Sequence, residues 1–142
     1  MSDLMEQFRE KGVRQAQSPA NFLSEPFLQK LPTASQDELN AQNFGAVRVD
    51  DQGKILFYNR YESQLAGIAS SEAEGKNFFY DVAPCTNNRL FLGSFQQGVQ
   101  AGKQHMLFFY TFTYRMKPTY VKVVLYKDRP DENWIFVQKM GV

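Results

Sequence analysis

The sequence predicts an α+β domain: a five-stranded antiparallel sheet with helices mostly on one face and an N-terminal helical cap. Three observations predict it. Short apolar or alternating runs occur twice between residues 46 and 58 and three times from residue 106 onward, as strands require. Between these groups stand capping signals and a stretch with Phe91, Phe95 and Val99 at four-residue spacing, as an amphipathic helix requires. Residues 1–43 are rich in Ser, Gln, Glu and Pro and lack alternating runs, so they read as a cap ahead of a domain spanning residues 44–142.

In the cap, Ser2 followed by Asp3 reads as a helix start, with Leu4, Met5 and Phe8 on one side. Pro19, Pro26 and Pro32 break any longer helix. Ser35 and Glu38 have capping-box spacing, which predicts a short helix over 36–42. Residues 46–49 and 54–58 read as two strands, joined by the turn chemistry of Asp50, Asp51, Gln52 and Gly53. Residues 59–65 read as a short helix ending near Gly67. Ser71 and Glu74 offer a second capping box before Gly75. Pro84 holds Ala83 extended, which places Cys85 on a loop, ahead of a helix expected to start near Asn87 or Asn88 and to stop at Gly102. The remaining strands are 106–116, 120–127 and 134–139, with a turn at Lys117, Pro118 and Thr119 and a polar connection over 128–133. In the first of these, Phe108, Tyr110, Phe112 and Tyr114 share one face, while Leu107, Phe109, Thr111 and Thr113 share the other.

A chain of 142 residues supports one core unaided. With Lys+Arg 16 against Asp+Glu 15 the net charge is +1, which argues against nucleic acid or an anionic membrane surface as the partner. No apolar run approaches the roughly 20 residues of a bilayer span. The first ten residues carry acids and no apolar stretch, so no secretory signal is expected, and the expected location is cytoplasmic. A single cysteine forbids an internal disulfide and permits a reducing compartment. Aromatic residues make up 15%, enough to permit an aromatic-walled pocket.

Little classical catalytic equipment is visible. One His and one Cys cannot supply a metal's ligand set, and no glycine-rich phosphate loop occurs. Cys85 and His105 could form a nucleophile pair for acyl transfer, but no third orienting group is evident and His105 reads as an exposed residue at a strand start. Cys85 itself has two readings. A lone cysteine is commonly a small buried hydrophobe; on a loop just ahead of a helix, it could instead be a thiolate able to take up an acyl group. Tyr58 and Glu62, four residues apart, could aim a phenol and a carboxyl at one point, or be a core tyrosine and a surface acid. The aromatic strand face is equally open between core and pocket wall.

The segment Gly75–Thr86, with its Asn-Phe-Phe-x-Asp-Val-Ala-Pro-Cys string, resembles the chromophore-attachment segment of photoactive yellow protein. The resemblance runs from Leu39 to Val137, with one short length difference near 128–133. It implies the PAS fold and a blue-light sensor rather than an enzyme. It further implies p-coumaric acid joined as a thioester to Cys85, its phenolate held by Tyr58 and Glu62, and its thioester carbonyl held by the Cys85 N–H. Phe78, Ala83, Tyr110, Phe112 and Met116 match positions that wall the chromophore; Pro84, Thr86 and Tyr114 belong to the same pocket neighbourhood. Light-driven trans-to-cis isomerisation and proton transfer from Glu62 would loosen the fold, and an unidentified downstream signalling protein would read that state. Two positions depart from the pattern: Ala66 replaces a Thr that supports the tyrosine, and Ile68 replaces an Arg that covers the chromophore. These departures keep open a second reading, a PAS-type interaction module whose ligand is non-covalent or lost.

Overall fold

The structure is a computed structural model and describes residues 22–113 and 117–140. Two short helices lead: α1 (Glu25–Lys30), running into a 3-10 turn at Leu31–Thr33, and α2 (Gln36–Asn40). Strands β1 (Gly45–Val49) and β2 (Ile55–Tyr58) follow, then α3 (Arg60–Ala66) and α4 (Ser70–Ala73). A π-helical turn (Phe78–Val82) and a 3-10 turn (Pro84–Thr86) precede α5 (Phe91–Ala101). Three strands complete the described chain: β3 (Gln104–Phe112), β4 (Thr119–Arg129) and β5 (Glu132–Lys139). The sheet has the order β2-β1-β5-β4-β3 and every pairing is antiparallel.

Strand alternation sorts the sheet into two faces. Val47, Val49, Val121, Val123, Leu125, Ile135 and Val137 point to one face, where α3, α4, the two tight turns and α5 contribute Ala66, Ile68, Ala73, Phe78, Phe79, Phe91 and Phe95. Ala46, Val124, Trp134 and Phe136 point to the other, where the cap lays down Leu23, Leu28, Leu31 and Leu39. The cap is therefore the second layer's cover: Phe22 and Phe27 pack on Phe44 with centroids 5.3 and 5.2 Å apart.

The capping box expected at Ser35 forms in both directions: Ser35 Oγ accepts from the Glu38 N–H, and Glu38 Oε1 accepts from the Ser35 N–H at 2.8 Å. Its helix ends at Asn40 rather than Gln42. The second expected box does not form. The N-cap of α4 is Ala69, which has no polar side chain, so Ser71 is not the cap, and Glu74 turns to β2 instead. The helix expected from Asn87 starts at Phe91, with Asn88 Oδ1 accepting from the Phe91 N–H at 2.9 Å. The polar connection expected over 128–133 is a tight hairpin: β4 runs to Arg129, β5 starts at Glu132, and Asp131 takes a left-handed φ of 54°. Asp51 ties this hairpin to the β1–β2 turn by accepting from Lys127 Nζ at 2.8 Å and Asn133 Nδ2 at 2.9 Å. Burial alone would raise its carboxyl; the hydrogen bonds from Lys127 and Asn133, together with the Lys127 charge and the Asp131 N–H, outweigh burial and hold it below the usual carboxylate range. The helix expected at Leu4, Met5 and Phe8 lies outside the described residues.

Candidate functional site

The site is assembled on the face that carries α3 and α5. Tyr58 ends β2 and Glu62 stands in the first turn of α3; they are 1% and 2% exposed, so both are interior side chains. Asn59 between them makes the turn. Its Oδ1 accepts from the Glu62 N–H at 3.1 Å and from the Ala46 N–H at 3.0 Å, and its Nδ2 donates to the carbonyls of Leu39 and Phe44. One buried amide thus joins the helix carrying Glu62, strand β1 and the cap. The reading of 59–65 as helix overlooked this residue, although Asn three positions before Glu is an N-cap signature.

Burial pushes the Glu62 carboxyl up to about 8, so it carries a proton at neutral pH. Its Oε1 is buried and has no hydrogen-bond partner among the described residues. Burial, and then the nearby Glu62 charge, push the Tyr58 phenol up as well. Gly45 makes the room for the acid: a Cβ there would collide with Glu62 Oε1 and stand 3.3 Å from its Cβ. Gly45→Ala is expected to cost about 1–3 kcal/mol of stability by overpacking, read as a lower denaturation midpoint.

Ala66, Ile68, Phe78 and Phe112 share one buried cluster with Tyr58, and Ala83, Cys85 and Tyr110 pack against it. Phe91, which sequence reasoning placed only in a helix, is the hub of the aromatic wall: its ring lies 5.1 Å from Tyr110, 5.2 Å from Phe108 and 5.9 Å from Phe78. Cys85 lies in the 3-10 turn and is half-buried. Pro84 opens that turn, and the buried Thr86 closes it by donating its hydroxyl to the Ala83 carbonyl at 2.7 Å. The Cys85 carbonyl accepts from the Tyr110 hydroxyl at 2.6 Å and from Asn88 Nδ2 at 3.3 Å. Tyr114 and Met116 lie outside the described residues.

Two expectations are corrected. Helix α5 starts at Phe91 rather than at Asn87 or Asn88, and Asn88 links its first turn to the Cys85 turn by accepting from the Phe91 N–H and donating to the Cys85 carbonyl. His105 does stand at the start of β3, as expected, but it is not exposed. It is half-buried and packed edge-on against Tyr126 at 5.4 Å, and burial pulls its pKa down. It alternates with Leu107 toward the cap-side core, whereas Cys85 packs on the opposite face, so the two cannot form a nucleophile pair. Among the described residues no group of three or more His, Cys, Asp or Glu could hold a metal, and no helix is long and apolar enough to cross a membrane.

The residues fit an aromatic acyl group with an acid–base oxygen at its far end. A thiol stands against an aromatic cluster that includes Tyr58, and a buried, protonated carboxyl one helical turn on, Glu62, has an oxygen without a partner among the described residues. A family model described as the PAS fold matches residues 36–136, and the five-strand order and the helices on the site face are those of a PAS domain. Within that fold the chain belongs to the photoactive yellow protein family. It is 42% identical over 121 residues to photoactive yellow protein of Halochromatium salexigens, covering 84% of this chain and 97% of the relative. It is 44% identical over 98 residues to that of Rhodothalassium salexigens, covering 68% and 78%. A solved structure, the photoactive yellow protein domain of a sensor histidine kinase from Rhodospirillum centenum, superposes with a TM-score of 0.74 at 38% identity, covering 78% of this chain and 98% of that one.

Proposed function

We propose that this protein is a blue-light photoreceptor carrying p-coumaric acid as a thioester on Cys85. The observation that carries the proposal is Glu62: a fully buried carboxyl, protonated at neutral pH, with an oxygen unpartnered among the described residues, beside Tyr58 of the cluster that Cys85 packs against. A packing scaffold gains nothing from such a group, since a buried unpaired polar atom costs about 1–3 kcal/mol. The names of the relatives support the same reading.

When bound, p-coumaric acid supplies the blue absorption and a light-driven trans-to-cis isomerisation. The chain's residues do the rest. Cys85 Sγ holds the acyl group in place of its thiol proton, and the Cys85 N–H holds the thioester carbonyl. Tyr58 and Glu62 donate hydrogen bonds to the phenolate oxygen, and such bonds to an ion are the strong ones. Phe78, Tyr110 and Phe112 exclude water from the ring, with Ala83, Pro84 and Thr86 shaping the turn around the attachment point. In the dark Glu62 keeps its proton because burial penalises its charge. Once that proton passes to the phenolate, the Glu62 carboxylate is left buried and poorly compensated, which drives the structure to open toward water. Asn59 ties the Glu62 backbone to the Leu39 carbonyl of the cap and to the Phe44 carbonyl just after it, so the cap is the element that this opening reaches. A partner protein that recognises the loosened state would receive the signal, and the protein itself is not an enzyme in this account.

Ala66 and Ile68 are 9% and 5% exposed in the Tyr58 cluster. Each replaces a residue that the family pattern places near the chromophore. Ala66→Thr and Ile68→Arg are expected to move the absorption maximum and the dark-recovery rate of the loaded protein. Spectra and recovery identical to wild type in both would show that these are not tuning positions. The proposal as a whole is tested by mixing purified protein with activated p-coumaric acid. A blue band that bleaches in light and recovers in the dark is expected. A folded protein that acquires no such band would instead be an interaction module with a non-covalent ligand or none.

A further inference from the structure

We propose that Ser70 and Glu74 are positioning residues for the Tyr58 phenol, holding the end of β2 from outside the sheet. This rests on the reading that Tyr58 hydrogen-bonds the pigment's phenolate. Strand β2 is an edge strand, paired with β1 on one side only. Its outer side is met first by backbone. The Phe78 N–H donates to the Gly53 carbonyl at 2.9 Å, the Ile55 N–H donates to Lys76 at 2.8 Å, and the Gly75 N–H donates back to Ile55 at 2.8 Å. At Tyr58 that backbone ladder has ended, and two side chains take over. Ser70 Oγ donates to the Tyr58 carbonyl at 2.7 Å, and Glu74 Oε2 accepts from the Tyr58 N–H at 3.3 Å.

Both peptide groups of one residue are thereby fixed from the same short helix. Fixing them fixes the Cα–Cβ direction, and with it where the ring and its hydroxyl point. The local sequence offered Glu74 a different use, in a capping box with Ser71. Ser70 stands in the first turn of α4 and Glu74 just past its end, yet α4 has no side-chain N-cap. The polar groups are spent on Tyr58 instead of on their own helix. The arrangement also answers a gap in the site. Ala66, in the same cluster as Tyr58, carries no hydroxyl that could hydrogen-bond the ring, so a hold on the Tyr58 backbone adds orientation that this side chain cannot. Continuing from Glu74, the same segment runs through the π-helical turn to Cys85, so one stretch of chain sets both the tyrosine and the thiol.

The test uses the full chain with and without pigment, comparing wild type with Ser70→Ala, Ser70→Thr, Glu74→Ala and the control Glu72→Ala on the exposed side of α4. In pigment-free protein the Tyr58 amide is expected to exchange about tenfold faster in Glu74→Ala, as loss of a charge-assisted hydrogen bond allows. The Val47 amide and the Glu72→Ala control stay at wild-type rates. In loaded protein the pH at which the visible band is lost in the dark is expected to rise by about one unit in Ser70→Ala and Glu74→Ala, a tenfold weaker hold on the phenolate. Ser70→Thr, which keeps the hydroxyl, restores it. Tyr58 exchange and a bleaching midpoint equal to wild type in both alanine variants would overturn the proposal. So would faster exchange spread evenly across β1 and β2, which would mark a merely structural role. If wild-type protein takes up no pigment, the photoreceptor reading fails, while the Tyr58 exchange arm still decides the clamp.

Discussion

Cys85→Ala is expected to take up no p-coumaric acid and to show no visible band, a complete loss rather than a weakened signal. The chain contains one cysteine, so no second thiol can substitute. The fold survives the change, because Cys85 is half-buried in a turn whose geometry is set by Pro84, by the Thr86 hydroxyl and by the donors on the Cys85 carbonyl. Losing one sulfur atom there costs at most about 1 kcal/mol. Intact mass after treatment with activated p-coumaric acid, alongside circular dichroism, checks both statements. A blue band of wild-type strength in Cys85→Ala would remove the thioester from the account.

Glu62→Gln is expected to change both the dark stability and the light response. The folded carboxyl has a pKa of about 8 against an ordinary value of 4.5, because burial disfavours its charge. The folded state therefore holds a proton that the unfolded chain has released throughout that window. Unfolding stability is greatest below pH 4.5, falls as pH rises to about 8, and levels off beyond it. The total fall attributable to this one group in pigment-free protein is on the order of 5 kcal/mol at most. Glutamine keeps the shape without the titration, so denaturant midpoints of Glu62→Gln should lose that decline. Wild type and variant with parallel pH profiles would show that Glu62 is not the buried proton carrier. In loaded protein the variant has no acidic proton to give. The buried charge is never created, and light should loosen the cap less, read as smaller light-induced exchange at Leu28.

Much of the fold was legible because local signals and tertiary needs agree. The box at Ser35 and Glu38, the left-handed Gly53 after Asp50 and Asp51, and the stop at Gly67 each form as their residues dictate. Where the sequence misled, another contact outbid the local one. Glu74, expected to box with Ser71, serves the Tyr58 N–H instead. Asn87 and Asn88 look like helix starters, but Asn88 is drawn to Tyr110 and the Cys85 carbonyl, which delays α5 to Phe91. His105 was misjudged because strand position says nothing about what the opposite layer covers, and here the cap side half-buries it.

The site was half legible. The residue types and the attachment string pointed to Cys85, Tyr58 and Glu62; packing places Tyr58 in and Cys85 against one cluster, and Glu62 is buried near Tyr58. What periodicity could not supply was how the Glu62 carboxyl is accommodated and tied to the rest of the fold. Gly45 clears space for a carboxyl from a neighbouring strand, and Asn59 joins that carboxyl's helix to the cap. Both are long-range consequences of the β2-β1-β5 order, which no short window of sequence contains.

The central claim is that Glu62 is a buried, protonated donor to a pigment on Cys85. Light-minus-dark infrared difference spectroscopy of the loaded protein tests it most directly. The account predicts that illumination removes one carboxylic-acid C=O stretch and adds carboxylate bands, and that this pair is missing in Glu62→Gln. A loaded, bleaching protein whose carboxylic-acid region is unchanged by light, or changes equally in Glu62→Gln, would contradict it.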